Sequence, residues 1–253
     1  MSRLSASAVV MGSERNLVSL IIHYLDAETL IRVRPVSTLF DGVVQDEWRN
    51  RVYQYTSPFL DRVSHFYDIL GTVEGVVSGS TALAVILSGS PRDGFIEQSS
   101  DLDVYVPTES AHDVILHYLV RIEGYEIDHT TSSSSADDSG DSFRRIASLT
   151  KLTRNVNGQL RSVDLIVGAG QCATESILWF WGTLVMNYIS ATSVVSIYPR
   201  TTLQGLFITH PTATDARLGQ PISKYKRRHF LQQHYVHREE DFQIHGGSFV
   251  YAR

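Results

Sequence analysis

Between residues 15 and 55 the apolar positions are spaced for helices. Leu17, Leu20, Ile21, Tyr24 and Leu25 recur at three- and four-residue steps, which places them along one stripe of a first helix. Asp26 can cap a second segment carrying Leu30 and Val33, and Pro35 breaks it. A third begins near Ser37 and runs through Phe40, Val43 and Val44 to Trp48. From Pro58 the texture changes to short apolar runs alternating with helical periods. PFLDRVSHFYDILG predicts a helix ended by Gly71, GVVSGS a strand meeting a glycine turn, STALAVIL a helix, and DLDVYVP a strand. SAHDVILHYLVRIEG predicts another helix, with Ser110 as its N-cap and Gly124 past its end. Two strands follow, near 145–154 and 159–167, joined through the hairpin-turn pair Asn157-Gly158. After Gly170, ATESILWFWGTLVMNYI is apolar nearly all round and predicts a buried helix.

Two stretches lack such patterning. TTSSSSADDSGDS is serine-rich, acidic and almost free of apolar residues, and reads as a disordered loop. The end of the chain is polar and rich in basic residues and histidine. There SKYKRRHFLQQHYVHREED predicts either a closing helix or a loosely held tail. These changes divide the chain into a helical segment, 1–57, a mixed domain, 58–210, and a polar extension, 211–253. The expected fold class is α+β, a small mixed β-sheet with flanking helices preceded by a short helical segment.

Composition changes this picture little. With 43% hydrophobic and 19% charged residues the chain reads as ordinary and globular. No apolar run reaches the length of a membrane span, so no membrane partner is expected. The N-terminus has one arginine and a short apolar patch, and does not read as a signal peptide. Cys172 is the only cysteine, which excludes an internal disulfide framework and a cysteine-built zinc site. An intracellular compartment, cytoplasmic or nuclear, is expected. A net charge of −5 weighs against a broad electrostatic footprint for long nucleic acids.

The candidate chemistry starts in DLDVYVP. Alternation on a strand turns Asp101, Asp103 and Tyr105 one way and Leu102, Val104 and Val106 into the core. Two carboxylates on one face repel each other unless a positive charge lies between them, and a divalent metal such as Mg2+ is the usual reason for such a pair. Upstream, Gly79 at a strand-to-helix turn allows close backbone approach. The helix beginning at Ser80 would present free N–H groups to a phosphate, with Ser80 either capping it or binding a phosphate oxygen. Asp164, flanked by Val163 and Leu165 in the hairpin's second strand, is a third carboxylate that calls for a shared metal site.

The order strand, Gly-Ser, helix, Asp-x-Asp, helix, hairpin, Asp resembles the nucleotidyltransferase superfamily, the DNA polymerase beta-like fold, over roughly residues 60 to 170. By motif, Gly79 and Ser80 match the family's Gly-Ser, Asp101 and Asp103 its metal-binding pair, and Asp164 its third acidic residue. Twenty residues separate Ser80 from Asp101, more than the family's usual spacing, and the extra loop lies around Pro91-Arg92-Asp93-Gly94. The resemblance implies two Mg2+ ions on Asp101, Asp103 and Asp164, and a nucleoside triphosphate held by Gly79, Ser80 and the following amides. It implies transfer of a nucleoside monophosphate to a hydroxyl of a small molecule, a protein or an RNA end. Arg144, Arg145, Lys151, Arg154, Lys224, Arg227 and Arg228 are basic residues that could help bind the triphosphate, each read first as a solvated surface charge. His229, His234 and His237 are read as surface residues and not as a metal cluster.

A second resemblance covers residues 15–55. NLVSLIIHYLDAETLIRVRPVSTLFDGVVQDEWRNRV is similar to an F-box, a three-helix module that docks onto a ubiquitin-ligase adaptor, though Leu17 is followed by Val18 and not by the family's usual proline. It implies an alternative of another class: a non-catalytic adaptor whose nucleotidyltransferase-like domain only recognises a target.

Overall fold

The computed structural model describes residues 6–94, 101–132, 146–209 and 215–233, apart from the side chains at 6–13 and 215–218. Helices α1 (Ala6–His23), α2 (Ala27–Val33) and α3 (Thr38–Thr56) come first, followed by α4 (Val63–Thr72). Local chemistry sets their ends. Asp26 accepts a hydrogen bond from the Thr29 amide at 2.8 Å, and the Ser37 hydroxyl accepts one from the Phe40 amide at 3.3 Å. Pro35 lies in the single 3-10 turn between α2 and α3, where its missing N–H is harmless.

The second part comprises β1 (Val76–Ser78), α5 (Gly79–Leu87), β2 (Leu102–Val106), α6 (Glu109–Arg121), β3 (Glu126–Ser132), β4 (Ile146–Val156) and β5 (Gln159–Gly168). Then come β6 (Asn187–Ile189), β7 (Val194–Ser196), α7 (Pro199–Leu203), β8 (Leu206–Phe207), α8 (Asp215–Arg227) and β9 (Leu231–Gln232). Seven strands form one mixed sheet in the order β3-β4-β5-β2-β1-β6-β7. Within it β2 and β5 run parallel and every other neighbouring pair is antiparallel. The chain is thus an α+β protein with flanking helices. In the β4–β5 hairpin Asn157 and Gly158 both have positive φ, 52° and 81°, the backbone that a two-residue type I′ turn requires.

Alternation decides the two faces of the sheet. Leu102, Val104 and Val106 bury with Val163, Leu165 and Val167 on one face, against Phe66 and Leu70 of α4 and Ile115 and Leu119 of α6. Ile22, Leu30, Val44 and Trp48 belong to the same core, so the N-terminal helices pack on the sheet domain. Arg51 of α3 fastens this junction while almost fully buried. It donates to Glu47 at 2.8 Å, to the Ser88 carbonyl just past α5 at 2.6 Å, and to the Leu25 carbonyl at 2.6 Å. On the opposite face Tyr105 and Ile166 pack with Ala173, Ile177 and Met186. The next row toward the strand starts carries Asp103 and Asp164.

Several expectations are corrected. ATESILWFWGTLVMNYI does not form a helix; it makes 3-10 turns at Ser176–Trp179 and Thr183–Val185 and then β6. Its apolar residues serve two separate clusters: Phe180 packs on Tyr105, whereas Trp181 packs on Phe207 and Tyr225. The backbone is extended at Phe180, with ψ 156°, between the two 3-10 turns. The N-cap of α6 is Thr108, which accepts from the Ala111 amide at 3.2 Å, and not Ser110. Gly71 lies within α4, not past its end. The first residues of the serine-rich stretch, Thr130–Ser132, join β3, and 133–145 lie outside the described residues. SKYKRRH begins within α8, and 234–253 are likewise outside. No helix among the described residues is long and apolar enough to cross a membrane.

Candidate functional site

Strand register brings the carboxylates together. Ser78 of β1 stands opposite Asp103 of β2, Asp103 opposite Asp164 of β5, Asp164 opposite Lys151 of β4, and Lys151 opposite His129 of β3. Directly paired residues project on the same face of a sheet, so these five side chains form one row. Asp101, two residues before Asp103, returns to that face. One oxygen from each of Asp101, Asp103 and Asp164 lies within 4.8 Å of the others. The three aspartates singled out in the sequence therefore converge.

Gly79 completes the arrangement. Its φ is +66°, and a Cβ built on it would lie 1.9 Å from Asp103 Oδ2. Only a residue without a side chain lets the first turn of α5 come this close to the carboxylate. Ser80 is 4% exposed and sits inside that turn. The cap position belongs to Ser78, whose hydroxyl instead donates to the Asn187 carbonyl at 2.6 Å, so Ser80 is not the cap.

Electrostatics at the row are unfavourable to three bare carboxylates. Burial, then repulsion from Asp101 and Asp164, hold the Asp103 carboxyl well above the ordinary carboxylate range; Lys224 and Lys151 pull the other way. Asp164 is raised by burial and by Asp101, opposed by Lys151 and His129. The Tyr105 hydroxyl is also pushed up, by burial first and then by the three carboxylates. Folded Asp103 and Asp164 therefore bind protons more tightly than they do in the unfolded chain. In metal-free protein this stabilisation is present at pH below the unfolded carboxyl values and is lost as pH rises through the raised ones. Chemical denaturation in a chelator should show Asp103→Asn gaining stability relative to wild type as pH rises from acid to neutral. A difference that stays flat would mean that neither burial nor the neighbouring carboxylates raise Asp103.

The basic candidates separate into distinct roles. Lys151 Nζ lies 3.6 Å from Asp164 Oδ1. Lys224 of α8 is the stronger of the two positive influences on Asp103. Arg154 is not a free surface charge: it bonds Asp61 at 2.8 Å, the Phe59 carbonyl at 3.0 Å and the Glu123 carbonyl, away from this row. Arg228 is buried against the Tyr225 ring, Arg227 is exposed, and Arg144, Arg145, His234 and His237 lie outside the described residues. His229 is exposed, as expected. The sequence reading missed that Lys151 and His129 join the row. The signal for Lys151 was present: a two-residue turn pairs Val156 with Gln159, and stepping back from it places Lys151 opposite Asp164.

Three clustered oxygen donors can hold a metal ion, and Asp164 Oδ1 is buried without a hydrogen-bond partner, which suits a ligand to a cation. A donor set made only of carboxylate oxygens suits hard divalent cations, Mg2+, Ca2+ and Mn2+ alike. Compared with known proteins, the chain matches no family model and no curated protein.

Proposed function

We propose that the protein is a metal-dependent nucleotidyltransferase that moves a nucleoside monophosphate from a nucleoside triphosphate to a hydroxyl acceptor. The observation that carries this reading is the row on which Asp103 and Asp164 stand in register, with Asp101 on the same face and Gly79 against Asp103. Asp101, Asp103 and Asp164 would hold Mg2+, two ions in the family pattern. Bound there, Mg2+ would neutralise triphosphate charge and lower the pKa of the acceptor hydroxyl. Gly79, Ser80 and the first amides of α5 bind phosphate oxygens at the positive end of the helix. The Asp164 carboxylate oxygen that does not hold the ion would take the hydroxyl proton. The acceptor oxygen then bonds to the α-phosphorus, the bond from that phosphorus to the bridging oxygen breaks, and pyrophosphate leaves. Tyr105, on the same face as Asp103 and two residues along the strand, packs on the Phe180 ring at 5.7 Å.

Calorimetry with nucleoside triphosphates, with and without Mg2+, tests this on wild type and an Asp101→Ala/Asp103→Ala double variant. Magnesium-dependent binding that the variant loses is the expected result. Binding that ignores both Mg2+ and the substitutions would sink the reading. A second reading, an adaptor linked to a ubiquitin ligase, draws on one observation. Leu17, Leu20 and Ile21 on α1, and Tyr24 just past its end, are each more than half exposed, an apolar face of the kind a partner covers. The two readings do not exclude each other.

A further inference from the structure

We propose that Lys151 is the resident counter-ion of Asp164, and that a divalent cation taken by the three carboxylates displaces its ammonium toward the phosphate of the incoming substrate. The inference rests on the metal-binding reading above. Its basis is the kind of contact Lys151 makes. Nζ stands 3.6 Å from Asp164 Oδ1, beyond hydrogen-bond length, and that same oxygen is buried with no hydrogen-bond donor. Ion pairs that serve structure in this protein are built otherwise: Arg51 meets Glu47 at 2.8 Å and Arg154 meets Asp61 at 2.8 Å, each with further bonds to backbone carbonyls. Lys151 touches Asp164 without being locked to it.

The side chain is also free to leave. It is about a third exposed and faces His129, itself half exposed on the edge strand β3. Lysine carries a point charge on a flexible stem, unlike the planar fork of arginine, and suits a contact that must be given up. An ammonium and a dication a few ångströms apart repel strongly, so both cannot sit on Asp164 Oδ1. A phosphate brought to the same cation offers the displaced ammonium an anionic partner.

Mn2+ titration followed by electron paramagnetic resonance, on the full chain, tests this with wild type, Lys151→Met and Lys151→Arg. Lys151→Met should bind Mn2+ alone about tenfold more tightly, because the competing charge is gone. It should bind the Mn2+–tripolyphosphate complex about tenfold more weakly, because the phosphate has lost its ammonium. Lys151→Arg should stay near wild type for Mn2+ alone. A merely structural lysine would weaken both affinities together, and that result, or no change in either, overturns the inference while leaving the metal site standing. Failure of wild type to bind Mn2+ overturns the metal-binding reading and this inference with it. If Lys151→Met does not fold, the neutral Lys151→Gln carries the same comparison. The Mn2+-induced rise in melting temperature gives an independent readout, larger in the neutral variant.

Discussion

Gly79→Ala should cost the protein about 3–4 kcal/mol of stability and lower its affinity for a divalent cation about 10- to 100-fold. Two effects add. The backbone at Gly79 has φ +66°, where any Cβ is strained by about 1–2 kcal/mol. The new methyl would also stand 1.9 Å from Asp103 Oδ2, so either the carboxylate or the first turn of α5 must move. Displacing Asp103 breaks the row; displacing α5 carries its amides away from it. Gly124→Ala is the matched control, because Gly124 has φ +74° with no atom within 4 Å of a built Cβ. Urea denaturation and Mn2+ titration of both variants separate strain from collision. Gly124→Ala should lose only the strain part. If both variants lose the same stability and neither changes cation affinity, the close approach of α5 to Asp103 has no consequence.

Arg51→Met should cost about 3–5 kcal/mol, the usual loss when one partner of a buried ion pair is removed. Arg51 is 1% exposed and Glu47 5% exposed, so the substitution leaves a carboxylate in the core. It also strips donors from the Ser88 and Leu25 carbonyls, which tie α3 to the end of α5 and to the turn after α1. A Glu47→Leu/Arg51→Met double variant should recover part of the loss, because the stranded charge goes but the carbonyls stay unpaired. Urea denaturation measures both. A loss below about 1 kcal/mol for the single variant would place the pair in the class of solvated surface bridges. The attachment of the N-terminal helices would then rest mainly on apolar packing and on the Tyr55–Asp93 hydrogen bond.

Much of the site was legible before the fold was known, for local reasons. Asp101 and Asp103 alternate with buried aliphatics, and that alternation alone sends them to one face. The Asn157-Gly158 turn sets the register of the hairpin, and register brings Lys151 to Asp164. The caps of Asp26 and Ser37 and the stop at Pro35 depend on atoms within three or four residues. Less legible were Ser80, buried inside its turn, and Thr108, which takes the cap that Ser110 offered equally well. Both outcomes follow from how the helix is set on its neighbours.

Residues 173–189 show the limit most clearly. Their composition correctly signalled burial, yet the segment buries against Tyr105 and against Phe207 with Tyr225 through turns and extended backbone instead of a helix. A helical period cannot report surfaces made by β2 and α8. The same holds for the short strands: β6 pairs on the edge of β1, β7 on β6, and β8 and β9 only on each other.

By itself, then, the sequence determined the strand faces, the hairpin register, the starts of α2 and α3, and the residue types able to hold a cation. Those depend on neighbours a few positions away and on the two-residue period of a strand. Only the tertiary structure decided that β2 pairs in parallel with β5, bringing Asp103 beside Asp164. It alone decided that α5 presses Gly79 onto Asp103, and that the charge of Lys224 on α8 is felt at Asp103. These contacts join segments far apart in the chain. What selects them is the burial of whole apolar faces against one another, a sum over many residues that no local window contains.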